Sequence, residues 1–321
     1  MSEASAAVAR TAGLALAVRL VPILLVAALL VLMLAEAPKF FAPRNLTSIL
    51  VQASMLGIMA IGMTVVMVGG GIDLSMPATM AFAAVLGALI LAQGAPLGLG
   101  ALVMLATGLL VGAFNGFAVA VLGMIPFVVT LAMMIVMSGA AIWATGADSV
   151  PLPEPWIDAI LVRLGGLPLS VWVLLGLAGL AALAMRRTAA GQWLYAVGTN
   201  PTAARIAGVP TRAVLFGSYV VAGLCAGITA ILLSARLGAA SAPMGNDAVV
   251  LDVVSAVVVG GVSIYGGVGG PIGAVVGTLV ITVIGNALNM LGVSFYVTLI
   301  VKGAAILVFV ALDGLVRRHG R

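Results

Sequence analysis

Long apolar runs follow one another along the chain, separated by short segments rich in glycine, proline or charge. A helix that crosses a bilayer needs about 20 apolar residues, and glycine, proline and polar clusters are typical of the breaks between helices. Most runs are apolar on every side, as expected for helices surrounded by lipid and by each other. The pattern predicts about ten spans, at 14–35, 47–68, 76–93, 98–121, 126–145, 168–185, 213–235, 249–264, 271–291 and 296–313.

Composition indicates that these helices make up nearly the whole protein. Of 321 residues, 64% are hydrophobic and 7% are charged, whereas about a quarter of the residues in a soluble domain are charged. So few charges cannot cover a surface that faces water. We therefore predict an all-α, polytopic transmembrane helical bundle that forms a single domain over residues 1–321.

The first apolar run resembles a secretion signal in some respects. It follows Arg10 and Arg19, and 35–37 (Ala-Glu-Ala) has the small-x-small form of a cleavage site. The apolar stretch, counted from Ala12, is longer than the core of a signal peptide. We expect a retained first helix, with a cleaved signal as the alternative.

Positive charge predicts the orientation, because cytoplasmic loops of membrane proteins are enriched in Lys and Arg. A cytoplasmic N terminus places nine arginines inside, against four cations outside, and ten spans return the C terminus to the cytoplasm. The net charge of +5 is then explained by the inner loops, and no nucleic-acid partner is expected. The inner set is Arg10, Arg19, Arg186, Arg187, Arg205, Arg212, Arg317, Arg318 and Arg321, and the outer set is Lys39, Arg44, Arg163 and Arg236.

The residues that catalysis would need are scarce. The lysines are Lys39 and Lys302, and neither completes the GxxxxGK[ST] loop that cradles ATP. The glycine run 266–270 lacks the third glycine of a GxGxxG motif, because Ile272 occupies that position. A single histidine, His319, provides no material for a histidine-based metal site or a catalytic triad. We expect neither enzymatic activity nor a metal, and the lone Cys225 excludes an intrachain disulfide.

A few polar residues interrupt the apolar runs and are candidates for a substrate path. Asp73 and Ser75 lie in the segment 69–75, between two runs. An acidic residue near hydrocarbon usually faces a cavity or a partner, but Asp73 could also be a surface turn residue that caps the next helix. Asn115, beside Phe114 within a span, either lines the path or bonds across helices.

Further polar residues occur in the C-terminal runs. Asn286 and Asn289 lie along the ninth span, where they either line the path or join helices. Asp252 and Lys302 are near the outer ends of their spans, and we expect them to extend to the membrane surface rather than pair.

Glycines recur at every fourth position in three runs, which predicts close helix packing. Separately, an apolar run broken by glycines occurs once in each half, at 66–70 and 257–261. Helices interrupted in corresponding halves mark the substrate path of some transporters; chance similarity is the alternative. The four-residue spacing is shown by Gly108, Gly112 and Gly116, by Gly223 and Gly227, and by Gly269, Gly273 and Gly277.

Two loops are long. The outer loop, 146–167, contains Trp156 and suggests an amphipathic segment at the membrane interface. In the inner loop, 186–212, Asn200 suits a helix N-cap, and Gly208 suits the position after the helix end. A short helix over 201–207, with Arg205 as its cation, either docks on a partner or lies on the membrane.

The inner loop resembles the coupling loop of ribose/xylose/galactose-type permeases, the carbohydrate uptake type 2 branch of ABC importers. Residues 70–75 (GGIDLS), 125–131 and 251–269 are similar to further motifs of this family. The resemblance runs from about 44 to 313, with departures at Thr199, at Val209 and at 76–77. The loop match comprises Ala196, Gly198, Asn200, Ala203, Ala204 and Gly208.

The resemblance implies a permease subunit that moves a pentose or hexose by alternating access. In this family a separate cytoplasmic ATPase holds ATP and Mg²⁺ and docks on the coupling helix. An extracytoplasmic sugar-binding protein delivers the substrate, and a second permease, identical or related, completes the path in the bacterial inner membrane. We assign ATPase coupling to the matched loop positions from Gly198 to Gly208, together with Arg205.

Other functions remain as alternatives. A permease of the same family for a nucleoside or a sugar-like signalling furanone would share these motifs. An ion-coupled secondary transporter would need buried acidic groups, for which Asp73 is the candidate. A membrane scaffold or channel would explain the glycines but not the inner helix.

Overall fold

A computed structural model describes residues 27–304 and residue 307, and within them the chain is predominantly helical. The helices are α1 (Ala27–Glu36), α2 (Pro43–Val68), α3 (Met76–Ala92), α4 (Leu97–Gly116), α5 (Pro126–Thr145), α6 (Glu154–Ile160), α7 (Leu169–Arg187), α8 (Ala189–Thr199), α9 (Pro201–Ile206), α10 (Thr211–Leu237), α11 (Asp247–Val259), α12 (Pro271–Met290) and α13 (Phe295–Ala304). Short 3₁₀ turns, Pro38–Phe41 and Ala242–Gly245, precede α2 and α11, and a π-helical turn, Phe117–Val121, continues α4.

Within the described residues, seven helical segments are long and apolar enough to cross a membrane. The all-α, multi-span prediction is confirmed at that level. Most of the predicted first span and the end of the last one lie outside the described residues. The predicted span 76–93 is present as α3, which has only 17 residues.

The short α3 begins beside the last third of α2 rather than at its end. Met76 packs against Gly62, which precedes the end of α2 by six residues, or about 9 Å along the helix. The segment 69–75 connects the two helices without forming a helix itself. Part of the path between α2 and α3 is therefore non-helical backbone. At membrane depth such backbone is tolerated only where protein surrounds it.

Glycine contacts bring α4 and α10 together, as their spacing predicted. Gly108 and Gly223 meet backbone to backbone, and a methyl group on either would overlap the carbonyl of the other. Gly273 and Gly277 of α12 make equivalent contacts with the backbone of α11, whereas Gly269 precedes α12 and packs against Val262. Small residues allow such close approach between membrane helices.

The loop 146–167 folds against the bundle through two short strand pairs. Strand β1 (Val150–Pro151) pairs antiparallel with β4 (Ala239–Ala240), and β2 (Arg163–Leu164) forms a hairpin with β3 (Leu167–Pro168). Trp156 in α6 is only 1% exposed and belongs to the main hydrophobic core. Trp156 is therefore covered by protein rather than by lipid headgroups, and the position of this loop at the outer interface stays a prediction.

Candidate functional site

Two helix ends in different halves of the chain have the same structure. At the end of α2, Gly70 N–H donates to Met67 O at 2.9 Å and Gly71 N–H donates to Val66 O at 3.0 Å. At the end of α11, Gly261 N–H donates to Val258 O at 2.9 Å and Val262 N–H donates to Val257 O at 3.1 Å. Both are Schellman endings. The similarity of 66–70 and 257–261 therefore extends from sequence to conformation.

These endings depend on glycine at one position each. Gly70 has φ +86° and Gly261 has φ +81°, in the left-handed region where side chains with a Cβ are disfavoured. At each of these helix ends, replacement of the glycine by a residue with a Cβ would strain the backbone.

The break after α2 is bonded to the loop that follows α11. Gly267 N–H donates to Val68 O at 2.9 Å, the last carbonyl of α2. Gly266 packs against Gly70, where a side chain has no room. The end of α2 and the loop after α11 therefore form one junction, which we call the break junction: residues 68–71 and 266–269.

Helix α8 is packed into the break junction. Gly198 lies against Val68 and Gly267, so closely that a methyl group would overlap the Val68 carbonyl oxygen. The Tyr195 hydroxyl donates to Gly269 O at 2.7 Å. Burial raises the pKa of the Tyr195 phenol, and the charge of Arg186 opposes that rise. The hydroxyl therefore stays protonated and can donate at neutral pH.

Helix α9 has the caps that the sequence predicts, and α8 has a further one. Asn200 Oδ1 accepts from the backbone N–H groups of Thr202 and Ala203 at 3.1 and 3.0 Å. Gly208 has φ +82° just beyond α9. At the other end of α8, Thr188 Oγ1 accepts from Gly191 N–H at 3.2 Å.

Helix α9 projects from the bundle and is mostly exposed. Ala203, Arg205 and Gly208 are exposed, whereas Ala204 is buried against the protein. Ile206 is 85% exposed. Sequence reasoning identified Arg205 but missed Ile206, at the end of α9, and Tyr195, in α8. For Ile206, its position beside Arg205 in the short loop helix was the available signal.

Three of the predicted path residues form one buried cluster. Asp73 Oδ1 accepts from the Ser75 N–H at 3.0 Å and from the Ser75 hydroxyl at 2.6 Å. Asn115 Nδ2 donates to Ser75 Oγ at 2.8 Å. All three residues are at most 1% exposed. Asp73 therefore shapes the turn before α3 as expected of a cap, but inside the protein rather than at its surface.

Phe114 lies apart from this cluster. It is 57% exposed on the outside of the described bundle, whereas its neighbour Asn115 is fully buried. The two adjacent residues lie on different faces of α4, one exposed and one buried, so they do not line one site.

The other predicted path residues, Asn286 and Asn289, border a polar cleft. This cleft, of about 490 Å³, lies between α2, α10, α11, α12 and α13. Asn289 lines it, and so does Asn286, which also exchanges two hydrogen bonds with Asn45 at 3.0 and 3.1 Å. Asn286 therefore joins α12 to α2 as well as facing the cleft.

An ion pair crosses the same cleft. Lys302 Nζ lies 2.7 and 2.9 Å from the two carboxylate oxygens of Asp252. Their side chains are 15% and 23% exposed. The expectation that both extend to the membrane surface is wrong, because the fold places them within bonding distance across a partly enclosed space.

Known proteins are similar in sequence to this chain over most of its length. The family model described as "Branched-chain amino acid transport system / permease component" matches residues 45–310. The ribose import permease RbsC of Escherichia coli K12 is 35% identical over 283 residues, covering 86% of this chain and 88% of the relative. No solved structure matches significantly.

Two further relatives are similar over comparable lengths. The probable ABC transporter permease y4mJ of Sinorhizobium fredii is 34% identical, covering 87% of this chain and 84% of the relative. The galactofuranose transporter permease YtfT of Escherichia coli K12 is 36% identical, with 81% and 76% coverage. This multi-pass membrane chain thus belongs to the permease family that the model describes, and within it to the type 2 carbohydrate permeases of ABC importers.

Proposed function

We propose that this chain is the membrane subunit of an importer that moves a monosaccharide across the bacterial inner membrane by alternating access. ATP and Mg²⁺ are held by a separate cytoplasmic ATPase, and an extracytoplasmic binding protein delivers the sugar. A second permease, identical or related, completes the path. Both termini and the α8–α9 loop face the cytoplasm. The relatives named for ribose and galactofuranose support a pentose or hexose.

The observation that carries this proposal is the direct connection from α9 to the break junction. Helix α9 offers an exposed surface with Ile206 and Arg205 at its end. The preceding helix, α8, contacts Val68 through Gly198 and Gly269 through Tyr195. Displacement of α9 by an ATPase would therefore act at once on the end of α2, through Val68, and on the segment before α12, through Gly269.

The polar cleft suits a neutral, hydroxyl-rich substrate. Asn289 and Gln52 supply both donors and acceptors, and the charges of Lys302 and Asp252 compensate each other. Arg236 adds one further cation at the cleft wall. We assign the cleft to one part of the path. The cluster of Asp73, Ser75 and Asn115 contributes by fixing the start of α3 rather than by contacting the sugar.

The decisive experiment is co-purification from the native host, with mass spectrometry of the bound proteins. The test variant combines Arg205→Glu with Ile206→Asp on α9. The control is Arg187→Glu. Arg187 is an exposed residue at the end of α7, next to α8. We expect an ATPase with a Walker motif to co-purify with the original chain and with the control, but not with the α9 variant.

Other results would change the assignment in defined ways. An ATPase retained by the α9 variant would place the docking surface elsewhere. If no ATPase is recovered with the original chain, in a detergent that preserves other membrane complexes, the ABC importer proposal is wrong, and ion-coupled uptake becomes the alternative to test.

A further inference from the structure

A second cavity lies at the end of the bundle opposite the α8–α9 loop. It has a volume of about 530 Å³ and lies where α2 and α7 begin and α10 ends. Helix α2 has 26 residues, so its start is about 38 Å from the end that contacts α8. This length exceeds the hydrocarbon thickness of about 30 Å, which places the cavity at headgroup depth.

Three arginines line this cavity, each held by a different element. Arg44 belongs to the first turn of α2, Arg163 to the β2–β3 hairpin and Arg236 to the last turn of α10. The backbone pairing of Arg163 with Pro168 holds the hairpin beside the start of α7. Among the described residues, none of the three forms an ion pair, and no carboxylate lines the cavity.

The two helix starts add to the positive character of the cavity. Neither α2 nor α7 has a side-chain hydrogen bond that caps its N terminus. The first turn of a helix carries a partial positive charge and free N–H groups, and both attract anions.

A buried hydroxyl at the cavity wall lacks a partner. Ser170, in the first turn of α7, is 6% exposed, and its Oγ has no hydrogen-bond partner among the described residues. Buried polar atoms are normally hydrogen-bonded, so an orphan calls for an explanation. A bound oxyanion at this position would accept from the Ser170 hydroxyl.

We propose that the cavity binds the phosphate group of an anionic phospholipid. Three guanidinium groups match the oxyanion chemistry of phosphate, and the depth of the cavity matches that of lipid headgroups. Most of the remaining lining is apolar, with Val51, Met55 and Leu232 among its residues, and suits the upper acyl chain. Thr47 and Ser48 add hydroxyls that suit the glycerol. This site adjoins the cleft that we assign to the sugar path, because Met55 and Arg236 line both. It lies at the opposite end of the bundle from the surface proposed for ATPase docking.

The probe is phosphatidylglycerol, measured by native mass spectrometry on the full chain in nanodiscs that contain phosphatidylglycerol and phosphatidylcholine. We expect retained phosphatidylglycerol after transfer to detergent. Each change of Arg44, Arg163 or Arg236 to Gln should weaken retention by about tenfold, the size of one lost charge-assisted hydrogen bond. The matched control, Arg187→Gln, lies at the opposite end of α7 and should retain the lipid fully.

A charge-neutral variant separates ligand binding from folding. Ser170→Val removes the orphan hydroxyl and keeps all three arginines. If phosphate occupies the cavity, this variant retains several-fold less phosphatidylglycerol while its thermal unfolding stays cooperative. If the cavity is empty in the membrane, removal of an unsatisfied hydroxyl raises the unfolding temperature and leaves lipid content unchanged, which overturns the proposal.

A second arm distinguishes lipid from soluble phosphate. Glycerol 3-phosphate is added to the protein in phosphatidylcholine nanodiscs, and thermal unfolding is followed. Stabilisation by glycerol 3-phosphate without retention of phosphatidylglycerol would keep the phosphate site but overturn its lipid source. Unchanged lipid content in the arginine variants, together with lost sugar uptake, would assign the arginines to a protein contact and also overturn the proposal.

Discussion

At the residue scale, Gly198 is the position with least tolerance for change. It is the contact through which α8 meets the last carbonyl of α2. The sequence identified Gly198 only as part of a loop motif, because nothing local shows that residues 68 and 267 lie against it.

We predict that Gly198→Ala impairs transport more than it impairs folding. The added methyl overlaps the Val68 carbonyl and pushes α8 from the break junction, at a cost of about 1–3 kcal/mol. Sugar uptake and sugar-stimulated ATP hydrolysis should both fall several-fold in proteoliposomes. The control is Gly217→Ala in α10, where the methyl meets open space. Equal behaviour of the two variants would contradict the coupling role of α8.

Substitutions of Asp73 test whether this acidic residue has a structural role or carries an ion. Its Oδ1 accepts hydrogen bonds, and an asparagine also offers an acceptor oxygen at that position. We expect Asp73→Asn to keep uptake within a few-fold of the original, and Asp73→Leu to lose both stability and uptake. The measurement is uptake with thermal unfolding for each variant. Abolished uptake in a stably folded Asp73→Asn would favour ion coupling through the charge.

At the element scale, glycine spacing predicted which helices pack closely, but not which pairs. The contact of α4 with α10 joins residues more than a hundred positions apart, Gly108 and Gly223. A four-residue spacing shows that a face exists. The identity of the facing helix depends on the arrangement of the whole bundle.

We predict that Gly108→Ala lowers the stability of the bundle by about 1–3 kcal/mol, because the methyl overlaps the Gly223 carbonyl. Thermal unfolding in detergent measures the effect. Gly98→Ala, at the start of the same helix, meets open space and should be neutral or slightly stabilising. If both substitutions have the same effect, close contact between α4 and α10 is not what holds these helices.

The break junction also belongs to the element scale. Sequence similarity between 66–70 and 257–261 suggested a correspondence, and the two helix ends share one hydrogen-bond pattern. The bond from Gly267 N–H, in the loop after α11, to Val68 O could not be predicted from that similarity, because it depends on where the two helices lie.

For the whole molecule, the proposed orientation places α9 and the loop 146–167 on opposite sides of the membrane. We predict that, in a Cys225→Ala background, Asp148→Cys reacts with a membrane-impermeant maleimide in spheroplasts. Thr202→Cys on α9 should react only after lysis. Both original residues are exposed, so access depends on the side of the membrane. The reverse labelling pattern would invert the topology.

The sequence by itself determined the features that depend on local pattern. Apolar runs predict membrane helices because a bilayer core accepts few charges. Asn200 and Gly208 predicted the ends of α9, because caps use side chains and conformations within a few residues. Family membership followed from ordered motifs along the chain.

Only the tertiary structure decided which distant polar groups meet. Asn45 and Asn286 bond across 241 positions, Lys302 and Asp252 across 50, and Asn115 and Ser75 across 40. The three arginines of the second cavity come from three elements in the same way. Composition shows that such groups need partners inside a membrane, because solvation there is poor. The choice of partner depends on helix order and depth, which local sequence does not encode.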